Sequence, residues 1–355
     1  MEYIKFEDEN KYINLFVNFT NKIYTKKEQT IDKKELIDLL KGKHVLNKYL
    51  KMDKFLIFNN KKVVGRFVIT TYPKDKKAYI GFFECVNDEK IAKYLFDVVE
   101  NFVKQNGYES LIGPVDASFW LKYRLKINKF DSLPYTGEPY NKDYYLKLFQ
   151  NNGYEIIEHY TSNNYNSIDE SYINEKYKTR YDEFIEKGYE IKSLDVNDFD
   201  NMLKEFYFLI TELYKDFPIY KHIELEDFIK IFNSYKYILN EDMVKLAYYD
   251  KKMVGFFISV PNYNSLVYDI NLINILKIMK IKKKTKDFVM LYMGVDSKHT
   301  GLGKALAYSI IKELKQNNAK SIGALARDGK VTQNYVEDLI EERYEYVLLE
   351  RKINK

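Results

Sequence analysis

The sequence predicts a mixed α/β protein made of two tandem copies of one domain. Three observations carry that reading. The chain has 355 residues, about the length of two ordinary domains. Three segments of its first half recur in the same order in its second half. Within each recurring segment the apolar residues repeat with the period of a strand or of a helix.

The first recurring pair is a hairpin. Lys61-Lys62-Val63-Val64-Gly65-Arg66-Phe67 resembles Lys251-Lys252-Met253-Val254-Gly255-Phe256-Phe257 at an offset of 190. Phe55-Leu56-Ile57-Phe58 precedes one, and Val244-Lys245-Leu246-Ala247-Tyr248 the other. Each therefore reads as strand, tight polar turn and strand. The second pair, 93–112 and 304–323, is a helix followed by a strand at an offset of 211. Leu95, Val99 and Val103 fall every four residues, as do Leu306, Ile310 and Leu314, so each set lies on one helix face. Asn106-Gly107 and Asn317-Asn318 supply the stop signals. The third pair, 145–154 and 335–344, returns to an offset of 190. It predicts a last helix in each copy, then a last strand at 155–160 and at 345–350.

The change of offset places about 21 extra residues in the second copy, around 264–286. The first copy carries a comparable insertion between Gly113 and Asp143. The polar run Ser162-Asn163-Asn164-Tyr165-Asn166-Ser167 suits a linker within 161–180. Domains are expected at 1–160 and 161–355. The second should open with a strand at 189–193 and helices near 198–214 and 225–235.

Composition removes several function classes. A hydrophobic share of 46% is too high for a disordered chain. One Cys and four His leave no ligand set for a structural zinc, and no metal is expected. The single Cys fits a reducing compartment. The 34 Tyr and 23 Phe could stack on single-stranded nucleic acid. They are spread evenly, and 57 Lys and Arg face 52 acids, so codon bias explains them better and nucleic acid is not favoured. The start, Met1 to Asp8, is charged, and no stretch of 18 apolar residues occurs. A cytoplasmic protein without a membrane span is the expectation; its oligomeric state is open.

The most informative pattern lies in the second copy. Val289-Met290-Leu291-Tyr292-Met293-Gly294-Val295 reads as a strand and Asp296-Ser297-Lys298-His299-Thr300-Gly301-Leu302-Gly303 as a loop, with a helix from Lys304. Loop amides ahead of a helix N-terminus attract phosphate groups, and Gly301 and Gly303 admit a close ligand. A Walker A loop fails here, because Lys298 and Ala305 stand where Gly and Ser or Thr are required. A dinucleotide fingerprint fails at Leu306.

The pattern resembles the acyl-CoA loop of the GNAT N-acyltransferase superfamily: Arg or Gln, two residues, Gly, one residue, Gly or Ala, after a strand ending in Val. Lys298 replaces the Arg or Gln. With its hairpin, helix and closing segment the resemblance covers about 244–352. The first half resembles the first part of a two-domain bacterial GNAT-like family. It does so through Gly65-Arg66, Ile80 to Cys85, Gly113 to Ser118, and Glu138-Pro139-Tyr140-Asn141 before Tyr144-Tyr145. The resemblance implies two tandem GNAT-like domains, each a mixed, mostly antiparallel twisted sheet flanked by helices. It implies acetyl-CoA as co-substrate, bound by Met293, Gly294, Val295, Lys298, His299, Thr300, Gly301, Leu302, Gly303, Lys304 and Asn334. It also implies direct attack of an amine, from a small molecule or a peptide, on the thioester.

The first copy differs at the loop. Val86-Asn87-Asp88-Glu89-Lys90-Ile91-Ala92 has no Gly and sets two acids where a pyrophosphate would lie, a repulsive arrangement. Asn87 or Asp88 reads as a helix N-cap, so only the second copy is expected to bind CoA. In many GNAT relatives a Tyr near the chain end protonates the leaving thiolate; that position is Leu339 here. Tyr335 and Tyr292 are the substitutes, each equally readable as a packing aromatic. The base is Asp269 or water. Glu84 is a pocket carboxylate or an edge charge. Asp116, Trp120, Tyr123 and Arg124 form a structural hairpin or line a cleft. The run 277–286 is an amphipathic helix packing its apolar side inward, or a basic patch. The alternative to an enzyme is a CoA- or ligand-binding regulatory protein on the same fold. Aminoacyl transfer from tRNA, which other tandem GNAT-like proteins perform, is disfavoured by the intact CoA loop.

Overall fold

The computed structural model describes residues 1–353, and Val331 by its backbone alone. In order, the first half forms β1 (Glu2–Phe6), α1 (Asn10–Ile23), α2 (Lys33–Leu40), β2 (Lys51–Asn59), β3 (Lys62–Thr71), β4 (Lys77–Cys85), α3 (Glu89–Gln105) and β5 (Ser110–Gly113). Three short strands follow, β6 (Val115–Asp116), β7 (Lys122–Tyr123) and β8 (Leu125–Lys126), then α4 (Tyr145–Gln150). The second half runs β9 (Glu155–Ile168), α5 (Glu175–Glu186), β10 (Glu190–Ser193), α6 (Phe199–Tyr214), α7 (Leu225–Phe232), β11 (Val244–Tyr249), β12 (Lys252–Pro261), α8 (Leu272–Lys284), β13 (Asp287–Val295), α9 (Leu302–Asn317), β14 (Ala319–Arg327) and β15 (Ile340–Lys352).

Both recurring hairpins form, for the same local reason. Asn60 and Lys61 have φ of 48° and 63°; Asp250 and Lys251 have 49° and 62°. Two successive positive-φ residues make the turn whose twist matches paired strands. The helices follow their periodicity. α3 buries Ile91, Leu95, Val99 and Val103, and α9 buries Leu302, Leu306, Ile310 and Leu314. Gly107 and Asn318 end them in the left-handed region, with φ of 76° and 46°.

The chain divides into two units, Met1–Tyr160 with the chain from Tyr344 onward, and Thr161–Arg343. In the first, β1, β2, β3 and β4 pair antiparallel in sequence order and β4 pairs parallel with β5. In the second, β10, β11, β12 and β13 repeat that ladder and β13 pairs parallel with β14. Each is a mostly antiparallel sheet flanked by helices, with the first core around Phe55, Phe67, Leu95 and Phe96 and the second around Phe257, Leu306 and Ile310.

The last strands depart from expectation. Residues 345–350, expected to close the second copy, lie in β15 and join the first unit: Leu349 and Glu350 pair antiparallel with β5, opposite Gly113 and Ile112, and Tyr346 and Val347 pair with β8. Tyr346, Val347, Leu348 and Leu349 are fully buried there. Tyr346 donates to Glu138 (2.6 Å), which is ion-paired with buried Lys126 (2.8 Å). Conversely, β9 runs past 160 and lies beside β14. The polar run at 162–167 is therefore strand, not linker. Two of its side chains are tied to the second unit: the Ser162 hydroxyl accepts from the Leu325 amide (2.8 Å) and Asn163 donates to the Gln333 carbonyl (2.7 Å). The helix expected at 335–344 does not form. Val336 takes φ 44° between two 3₁₀ turns, Val331–Asn334 and Glu337–Leu339, and β15 begins at Ile340.

Among the described residues no helix is long and apolar enough to cross a membrane. No group of three or more His, Cys, Asp or Glu among them is placed to hold a metal ion.

Candidate functional site

Both sheets carry a bulge at the same place. In β13, Met290 faces Ser259 while Tyr292 faces Ile258; in β4, Gly81 faces Val68 while Glu84 faces Arg66. An extra residue bends its strand and disturbs the ladder. The parallel ladders end there. β13 and β14 pair from Asp287 opposite Lys320 to Met290 opposite Gly323; β4 and β5 pair from Lys77 opposite Ser110 to Tyr79 opposite Ile112.

In the second unit the strand leads into an anion cradle. Asp296 donates its amide to Val254 (2.9 Å), so the preceding pair, Val295 with Gly255, is non-hydrogen-bonded. The Val295 amide thus points away from β12, to the side where the parallel ladder has stopped. The Asp296 carboxylate accepts from the Lys298 amide (2.9 Å), and Thr300 donates to the Ser297 carbonyl (3.2 Å). Gly301, at φ 96°, turns the chain into α9, which starts without a side-chain cap. The amides of Thr300, Gly301 and Gly303 have no hydrogen-bond partner among the described residues. Open amides and the helix dipole together favour an anion.

Cations surround this cradle. The Arg180 guanidinium comes within 3.6 Å of where a Gly301 Cβ would stand. Partial burial, then the like charges of Lys176 and Arg180, hold the Lys304 ammonium below its usual range. Glu183 offsets part of the Arg180 charge (2.7 Å). Crowding like charges costs energy that an anion would relieve. Taken as a linker, 161–180 conceals Lys176 and Arg180. Their four-residue spacing, with Tyr177 and Phe184 as apolar partners on the same helix, was the available signal.

The candidate tyrosines separate. The Tyr335 hydroxyl lies 2.6 Å from where a Gly303 Cβ would stand, with the Met293 methyl at 3.0 Å. Its ring packs edge-on against Tyr177 (5.7 Å). Burial, then Tyr177, pushes its pKa up to about 12. Tyr292 alternates with Met293 onto the other face of the sheet. That is the face where a Gly294 Cβ would meet Leu213 and Phe256. The two hydroxyls therefore do not share a site. His299 is 2.7 Å, through Nδ1, from the Tyr189 hydroxyl, and its ring packs edge-on to Tyr189 and Tyr249. Lys298 and Asn334 are exposed, and Asn334 sits in a 3₁₀ turn where a helix was expected. Asp269 accepts from Asn274 (2.7 Å to its carbonyl) just before α8 begins.

The first unit fills the same places with its own chain. The Cys85 amide, equivalent to that of Val295, donates to the Tyr145 hydroxyl (3.2 Å), and its carbonyl accepts from Tyr144 (2.9 Å). A Cβ at Gly81 would stand 1.8 Å from the Val115 carbonyl oxygen, so the insertion lies directly on β4. Asp116 accepts from the Phe82 amide (2.5 Å). The expected cap forms: Asp88 accepts from the amides of Lys90 (2.8 Å) and Ile91 (3.1 Å). Glu84 is buried, accepts from Tyr145 (2.6 Å) and faces Arg66 at 3.7 Å; burial raises its pKa. With Asp116, Lys122, Tyr123 and Arg124 it lines a cavity of about 40 Å³, room for no more than a few waters.

No family model matches the sequence, and no curated protein matches it either. Among solved structures, a tandem GNAT protein from the clavulanic acid biosynthesis pathway matches 100% of this chain and 99% of its own, with TM-score 0.52 and 9% identity. A GCN5-related N-acetyltransferase from Anabaena variabilis matches 99% of this chain and 73% of its own, with TM-score 0.51 and 9% identity. At that identity the likeness is one of fold, and function must be argued from the site. The duplicated ladder and the whole-chain match together give this protein the fold of tandem GNAT proteins.

Proposed function

We propose that the protein is an acyl-CoA-dependent N-acyltransferase moving an acetyl group from acetyl-CoA to an amine. One observation carries this reading: the uncapped start of α9, with its open amides under Lys176, Arg180 and Lys304, stands at the end of a parallel ladder that has stopped. In this reading the amides of Thr300, Gly301 and Gly303 hold the pyrophosphate, and the cations neutralise it. The outward amide of Val295 holds the pantetheine and polarises the thioester carbonyl as negative charge develops. The amine nitrogen bonds to that carbonyl carbon, the carbon–sulfur bond breaks, and the amine proton passes to water. Tyr335, protonated across the neutral range, donates a proton to the departing thiolate. The first unit binds no CoA, because Asp88 and the insertion occupy the matching positions. The acceptor is an amine of a small molecule or a peptide. A second reading, a CoA-binding regulator without turnover, draws on Leu339 at the position of the usual acid.

Calorimetry with acetyl-CoA, followed by thiol release over a panel of amines, tests both readings. The expected result is one CoA per chain, lost in Gly301→Glu, with turnover reduced at least tenfold in Tyr335→Phe at unchanged CoA affinity. No binding ends the CoA assignment, and two CoA per chain ends the claim about the first unit. Binding without thiol release on any amine selects the regulator.

A further inference from the structure

The insertion at 264–286 has no counterpart in the first unit and no part in the anion cradle. Its helix, α8, presents an unusual surface. Ile270 (58% exposed), Leu272 (82%), Ile273 (66%), Ile275 (39%), Leu276 (68%) and Met279 (53%) lie within ten residues. On α8 only Asn274 and Ile278 are buried. They stand four apart and form the edge on which the helix rests, with Asn274 donating to the Asp269 carbonyl (2.7 Å). Within 277–286 the expected inward packing holds for Ile278, and Ile281 is half-buried, but Met279 and the apolar residues before it face out. Leu272, Ile275, Leu276 and Met279 follow the i, i+3, i+4, i+7 spacing of one helical face.

The same segment is strongly basic. Lys277, Lys280, Lys282, Lys283, Lys284 and Lys286 fall in it, and no Asp or Glu lies between Ile270 and Lys286. Lys280 stands one turn beyond Leu276, and Lys283 one turn beyond Met279, so the outward face changes from apolar to basic along the helix. Near its C-terminal end, Lys282 reaches the Tyr237 carbonyl and accepts from Asn240, both at 3.4 Å. That sets Tyr237, 70% exposed, beside the lysines.

The chemistry of this face selects its occupant. A second copy would bring two lysine runs together. Nucleic acid would satisfy the lysines and leave the Leu and Ile side chains in water. An anionic lipid surface meets both. Apolar side chains enter the headgroup–acyl boundary, lysines meet the lipid phosphates, and an exposed Tyr suits the headgroup layer. We propose that α8 docks this protein onto anionic membranes, lying in the interface without crossing it. The helix, 13 residues or roughly 20 Å long, is too short to span the hydrocarbon core. The proposal stands independently of the CoA reading.

Vesicle sedimentation of the full chain tests it, with vesicles of phosphatidylcholine alone or mixed with phosphatidylglycerol. Binding to the mixed vesicles at low salt is expected, with little to phosphatidylcholine alone. High salt, the pair Leu272→Asn/Leu276→Asn and the pair Lys280→Glu/Lys283→Glu should each weaken binding about tenfold or more. These positions are exposed, so unchanged thermal unfolding and far-UV dichroism will show that the variants fold. No binding to the mixed vesicles, or binding that neither pair weakens, overturns the proposal. So does a dimer in sedimentation velocity that Leu272→Asn/Leu276→Asn breaks, because a second copy would then be the occupant.

Discussion

In the first unit, Cys85 gives its outward amide and carbonyl to Tyr145 and Tyr144, and Asp88 covers the start of α3. In the second, the equivalent Val295 turns its amide toward a ladder that has ended, and α9 begins on Gly301 with open amides. The bulge and the interrupted ladder are the same in both. Duplication preserved the backbone device, and side chains decided its use. Where the chain satisfies its own polar groups the slot becomes core; where it leaves them open they remain available to a ligand.

The largest test of this comparison removes what closes the first sheet. A chain ending at Arg343 loses Tyr346, Val347, Leu348 and Leu349, all fully buried in the first unit. At roughly 1.5–3 kcal/mol per buried side chain, the loss is on the order of a whole domain's stability. Limited proteolysis should then cut within 1–160. A first unit as resistant as in the full chain would show that β15 is not part of its core.

Next in size is Gly81→Ala. The added methyl would stand 1.8 Å from the Val115 carbonyl oxygen, and backbone on both sides cannot retreat cheaply. A loss of about 3 kcal/mol is expected in chemical denaturation of the first unit. A neutral result would mean that the insertion rests only loosely on β4.

The smallest effect separates the two helix starts. Asp88→Ala should cost about 1 kcal/mol, because two amides lose their acceptor. Thr300→Ala at the other start should cost less than about 0.5 kcal/mol, because its hydroxyl serves a loop carbonyl and caps no helix amide. Equal costs in thermal unfolding would remove the distinction between a capped and an open helix end.

The parts legible in the sequence are those set by neighbours along the chain. The Asn60-Lys61 and Asp250-Lys251 turns, the apolar faces of α3 and α9, the Asp88 cap and the loop before Leu302 rest on backbone dihedral preferences and periodicity within a few residues. They sufficed for the duplicated mixed fold and for locating the loop. Lys176 and Arg180 escaped because they reach that loop from a helix more than a hundred residues earlier. Ser162 and Asn163 resembled a linker because their partners, Leu325 and Gln333, lie more than 160 positions away.

By itself, then, the sequence determined the repeat, the hairpins and which copy keeps a glycine loop. Only the tertiary structure decided which strand closes each sheet, that Tyr335 and Tyr292 lie on opposite faces, and that Leu272, Ile275, Leu276 and Met279 of α8 face out. Strand pairing and burial are settled by groups far apart in the chain. A local pattern shows that a face is apolar, and the partner that covers it lies elsewhere in the fold or outside it.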